Sequence, residues 1–373
     1  MQFRKVSSGY RLVVLTVLSG VLLASCGGSR GNDPVVANQA SLDETLVRIT
    51  EKTLVPAVNN FAGAAAQFDA TVADYCAAPS EAVLIALQDN WRQLASSWYR
   101  VIPYNFGPLN DDVVFPEYIQ FDSLRLRGTN YRATVRTQVT QNIQAEYVLD
   151  EAYFASQAFQ KMGLLALEVL VFETSGLADG ETISPAEPTS ANINFDYFLY
   201  PRKCEMLIGV SQQFTARAEA VQQGWTTQYK NSGSSYAQLF ASNNLDAGTD
   251  NITVLLTSVQ EFLDYLKQRN VVAIAAQSSG YAWTLLEQSI DEVDGLLNGS
   301  RTDSFNIFAI MTAAGYTQPV ATVRENIAFA RASIANKNAI DLGVALALLD
   351  GNFKREIPDS LDVELGINFT DGD

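Results

Sequence analysis

Phe61-Ala62-Gly63-Ala64-Ala65-Ala66-Gln67-Phe68-Asp69-Ala70-Thr71-Val72-Ala73-Asp74-Tyr75 spaces its large apolar side chains by threes and fours. That repeat marks one face of an α-helix and not the alternation of a strand. The stripe runs back through Val58, Ile49, Leu46 and Leu42. A helix start is expected at Ser41-Leu42-Asp43-Glu44, where the Ser hydroxyl and Glu44 suit a capping box. Pro56 falls inside the stripe and is expected to kink it.

Pro79-Ser80-Glu81 opens a second helix with Leu84, Leu87, Trp91, Leu94, Trp98 and Ile102 on one face, and Pro103 stops it. The stretch from Pro103 to Gln120 breaks the pattern. Helical periodicity returns from Tyr131 to Gln144 and from Glu151 to Phe172. Further helices are expected over Phe195–Gly224, Tyr236–Ser242, Asn251–Arg269, Tyr281–Leu297 and Thr322–Leu349. Val113-Val114-Phe115 is the nearest approach to a strand, and Asp and Pro bracket it. The fold class is therefore all-α. The Gly-, Pro-, Ser- and Thr-rich loop from Thr174 to Asn194 reads as a hinge between two helical halves, of about 41–175 and 190–373.

The chain begins differently. Arg4, Lys5 and Arg11, with no acidic residue, precede the apolar run Leu12–Leu18 and Val21–Leu23. This is an export signal over residues 1–25, too short and too broken by Ser19-Gly20 for a span of roughly 20 residues. Leu23-Ala24-Ser25-Cys26 resembles a bacterial lipobox, which makes Cys26 the lipidation site and residues 26–40 a tether. Gly27 stands where an inner-membrane retention Asp would sit, so the outer membrane is the expected location. The alternative is an ordinary cleaved signal with an incidental Cys.

The 373 residues carry a formal charge of −16 and no histidine. Such acidity argues against a nucleic-acid partner. Without His there is no Ser-His-Asp or Cys-His nucleophile and no His-based zinc site. A metal site would rest mainly on oxygen ligands. Cys76 and Cys204 remain once Cys26 is lipidated. In an oxidising compartment they read either as one disulfide or as two separate buried thiols.

Several blocks resemble the imelysin family, the iron-regulated bacterial surface proteins once filed as M75 peptidases. These are Thr53-Leu54-Val55-Pro56 with the Ala-rich helix to Tyr75-Cys76-Ala77-Ala78-Pro79, and Trp91–Trp98 ending in Phe106-Gly107-Pro108. Tyr200-Pro201-Arg202-Lys203-Cys204 and the ending Leu365–Asp373 complete them. The resemblance implies two related up-down four-helix-bundle halves, a site between them, and a link to iron acquisition. Iron is thus the metal the family suggests. Gly163 and Glu168 match the family's G-x-H-x-x-E motif, but Leu165 stands at the His position. A leucine cannot ligate a metal, so the family's site is altered or lost.

Trp98, Glu117, Gly163, Leu165, Glu168 and Arg202 are the candidate cleft residues, with Glu168 expected to face the cleft and to pair with Arg202. Trp91 reads as core, and Glu168 is the sole weak metal candidate. The expected function is a non-enzymatic envelope lipoprotein, held to the membrane by its lipid, acting as a binding or accessory component in iron uptake beside an outer-membrane receptor. Two alternatives stand against it. One is a structural or interaction lipoprotein that has lost the ligand site, favoured if Leu165 and its neighbours fill the cleft. The other is a metallopeptidase, disfavoured by the missing His.

Overall fold

The computed structural model describes residues 39–365 apart from 113, 125–129, 145, 147, 174–200, 244, 246–249 and 300–305. The signal, the Cys26 lipobox, most of the tether, the hinge loop and the last eight residues lie outside the described residues. Residues 34–373 fall within one compact unit. Among the described residues the regular structure is entirely helical. None of these helices is long and apolar enough to cross a membrane.

Helix α1 (Gln39–Ile49) already includes Ser41, so the expected capping box is not a helix start. It passes through one π-turn, Thr50–Leu54, into α2 (Val55–Ala77). The cause is Pro56, which lacks an N–H and whose ring crowds the preceding turn. The chain responds by widening, with Val55 N–H bonding to Thr50 O, and the expected kink takes the form of this π-turn. α3 (Glu81–Val101) starts where the Ser80 hydroxyl accepts from Val83 N–H at 3.3 Å. It ends in a 3-10 turn at Ile102–Tyr104.

α4 (Tyr118–Phe121), α5 (Arg132–Gln144) and α6 (Glu151–Ala155) lead to α7 (Gly163–Phe172). The single helix expected over 151–172 is thus broken. Gly163 adopts φ +76°, and a Cβ there would stand 2.6 Å from the Phe121 carbonyl oxygen. Only glycine fits this turn. α7 then runs with all ten of its residues buried.

α8 (Pro201–Thr226) and α9 (Tyr236–Ala241) precede α10 (Asn251–Gln268), α11 (Val271–Ile274) and α12 (Ala282–Asn298). α13 (Ile307–Ala313), α14 (Thr317–Ala335), α15 (Ala339–Lys354) and α16 (Glu356–Leu361) complete the chain. The helix expected over 322–349 is a hairpin. Lys337 turns at φ +50°, and the Asn338 side chain accepts from Ile340 and Asp341 N–H to start α15.

Two packing groups result. α2 lies between α3 and α8, with α5 and α7 against them, and α15 lies between α10 and α14, with α12 against α14. α3 and α12 join the groups. Because α8 packs on α2, the chain on both sides of 174–200 belongs to the first group, and the change of group comes after Thr226 rather than near residue 175. The disulfide reading holds: Cys76 at the end of α2 is bonded to Cys204 in the first turn of α8, with Cα atoms 5.7 Å apart.

Candidate functional site

Glu168 is the one charged residue in the apolar run of α7, and it is 1 % exposed. A carboxylate so buried must find partners. Oε2 accepts from Arg132 Nη2 at 2.8 Å, and Oε1 accepts from the Ser279 N–H and hydroxyl, both at 2.9 Å. Arg132 also donates from Nη1 to Glu173 at 2.6 Å. Arg136, one turn along α5, donates to the two oxygens of Glu173 at 2.7 and 3.1 Å. Ser278 bonds both Arg132 and Glu173. The buried Lys203 on α8 donates to the Glu173 carbonyl at 2.8 Å. Burial alone would push the Glu173 carboxyl up, but bonds from Arg136, Ser278 and Arg132 outweigh it and hold it below the usual carboxylate range.

A cavity of about 20 Å³ lies beside this cluster, with Trp91, Tyr99, Asp122, Leu165, Glu168 and Ala276 among its lining. That is room for about one water molecule. Asp122 is already engaged by Trp98 Nε1 at 3.2 Å and Leu124 N–H at 3.0 Å. Among the described residues no group of three His, Cys, Asp or Glu is arranged to hold a metal. The residues present do not fit a cation. Leu165 offers no donor, and a guanidinium sits directly on the remaining motif carboxylate.

Of the residues singled out in the sequence, the structure brings Leu165 and Glu168 together at this cavity. Trp91, read as core, is buried there too, its Nε1 donating to Leu164 O at 3.2 Å. Trp98 is not at the cavity; its ring is packed between Phe61 and Phe121, with centroids 5.2 and 5.1 Å away. Glu117 is not at the cavity; it pairs with Arg217 of α8 at 2.8 Å. Gly163 serves the turn that starts α7. Arg202 donates to the Asn142 carbonyl at 2.8 Å and approaches Glu205 at 3.4 Å, so the expected Glu168–Arg202 pair is replaced by Glu168–Arg132. Sequence reasoning missed Arg132, Arg136, Glu173, Ser278 and Ser279. The four-residue spacing of Arg132 and Arg136 on a helix, against an acidic residue inside an apolar run, was the available signal.

Two crystal structures are similar in fold. One is an imelysin-like protein from Psychrobacter arcticum 273-4, 15% identical, covering 89% of this chain and all of its own, with a TM-score of 0.68. The other is a putative iron-regulated protein A precursor from Parabacteroides distasonis ATCC 8503, 14% identical, covering 88% of this chain and 96% of its own, with a TM-score of 0.52. No curated protein matches the sequence. The imelysin model of the peptidase M75 family matches residues 54–292, from the last residue of the π-turn into α12. The chain is a member of the imelysin family.

Proposed function

We propose that this protein is a non-enzymatic lipoprotein of the bacterial cell envelope that works through its surface, as an interaction component linked to iron uptake. The observation that carries the reading is the state of Glu168: both oxygens are taken by Arg132 and Ser279, while Leu165, which offers no donor, lines the small cavity beside it. The motif position serves cohesion between helices rather than capture of a cation. The lipobox at Cys26 supports an anchored location in the outer membrane. The link to iron rests on the family and on the relative named as iron-regulated.

A metallopeptidase has little chemical support. With no His in the sequence, catalysis would need a carboxylate-held metal and a base, and Glu168 is committed to a guanidinium. Calorimetry with zinc and ferrous iron on the mature protein is expected to show no tight site. Stoichiometric binding abolished by Glu168→Ala would overturn the surface reading. Cys26→Ser is expected to leave the protein unanchored in membrane fractionation. Radio-iron uptake by a deletion strain under iron limitation tests the iron link, and uptake equal to wild type would sink it.

A further inference from the structure

Ala275–Gly280 connects α11 to α12 in the second helical group, yet its side chains reach into the first. Ala275 and Ala276 are buried and form one wall of the Trp91–Leu165 cavity. Ser278 bonds Glu173, and Ser279 bonds Glu168 through both its N–H and its hydroxyl. Asn130 donates to Gln277 at 3.3 Å. The strap therefore crosses the seam and is pinned by side chains from α7 and from the residues leading into α5.

Its backbone is not relaxed. Gly280 takes φ +65°, which glycine tolerates, but Ala276 takes φ +46°, where a Cβ is disfavoured. Such a conformation persists only where the surroundings over-determine it. Here the surroundings are the two serines and their carboxylates. The Ser279 hydroxyl has a second acceptor in reach, Ala276 O at 3.2 Å against 2.9 Å to Glu168. One hydroxyl proton serves one of them at full strength. A strap that lets go of Glu168 thus has either a second acceptor for its hydroxyl, while the turn lasts, or relief for Ala276, once the turn opens.

We infer that Ala275–Gly280 is a strained cover over the cavity, with Ser279 as its catch on Glu168, and that releasing the catch opens the space beside Trp91. This inference is independent of any link to iron.

The test is hydrogen exchange followed by mass spectrometry on the full mature chain, comparing strap peptides with peptides from α2 and α3. Ser279→Ala removes a hydroxyl bond to a charged acceptor, so strap exchange should accelerate about tenfold while α2 and α3 hold their rates. Ala276→Gly relieves the strain and should slow it. Acrylamide quenching should rise in Ser279→Ala, and the rise should vanish when Trp91→Phe is added. Strap exchange that stays unchanged in Ser279→Ala, or rises only in step with α2 and α3, would overturn the latch. An absence of extra quenching from Trp91 would overturn the cover.

Discussion

Arg132 and Glu168 form an ion pair of 2.8 Å in which the side chains are 6 % and 1 % exposed. The same guanidinium reaches Glu173 at 2.6 Å, so one cation stands between two buried carboxylates, one on α7 and one just past its end, with Arg136 supplying the second positive charge. Taking these groups out of water is costly, and the arrangement is favourable only while its members are paired. Its worth lies in fixing where α5, α7 and the 275–280 strap meet.

Arg132→Met should therefore destabilise the protein by about 3–5 kcal/mol, because it leaves two carboxylates short of a buried partner. Arg331→Ala, which removes a pairing with Asp291 and Asp294 from a side chain 43% exposed, should cost less than about 1 kcal/mol. Urea midpoints of the two variants measure the contrast, and equal shifts would refute it.

Two carboxyls should respond to pH in opposite directions. Glu173 is held below the usual range, so its stabilising contribution is complete above the ordinary carboxylate pKa and is lost as pH falls through its lower folded value. Glu292 on α12 is pushed up, chiefly by burial and further by Asp291. The bond from Tyr104 at 2.7 Å and the Arg100 charge only partly offset this. Its contribution is present below the ordinary value and is lost as pH rises through its raised one. Glu292→Gln keeps an acceptor for Tyr104, so it should gain melting temperature relative to wild type as pH climbs from about 4 toward neutral. Parallel melting curves for the two proteins across that range would refute this.

Gly163→Ala should destabilise by more than about 2 kcal/mol. The new Cβ meets backbone oxygens of Phe121 and Gln120 at 2.6 and 2.7 Å, and φ is +76°. Gly63 in α2, with nothing within 4 Å of its Cβ position, should instead tolerate or profit from alanine. Chemical denaturation of both variants checks the pair.

The Cys76–Cys204 bond closes a stretch of 128 residues. Removing it with Cys76→Ser should lower stability by up to about 5 kcal/mol on the chain-entropy estimate. Reductant should reproduce the loss in wild type and have no effect on the variant.

The helical segments, a disturbance at Pro56 and the helix start at Ser80 were legible in the sequence because each depends on residues within a few positions of one another; that the disturbance is a π-turn was not. The disulfide was legible as one of two readings, from the number of cysteines and the export expected of the N-terminal segment. The absence of His removed whole classes of catalysis without any structure. The breaks at Gly163 and at Asn336–Asn338 were hidden, since apolar spacing continues through them and only a close backbone approach or a left-handed residue ends the helix. Tertiary structure alone chose Arg132 over Arg202 as the partner of Glu168, placed Trp91 rather than Trp98 at the cavity, and put α8 in the first group. Those outcomes depend on how helices far apart in the chain approach one another. Periodicity reports which face of a helix is buried, but not against what.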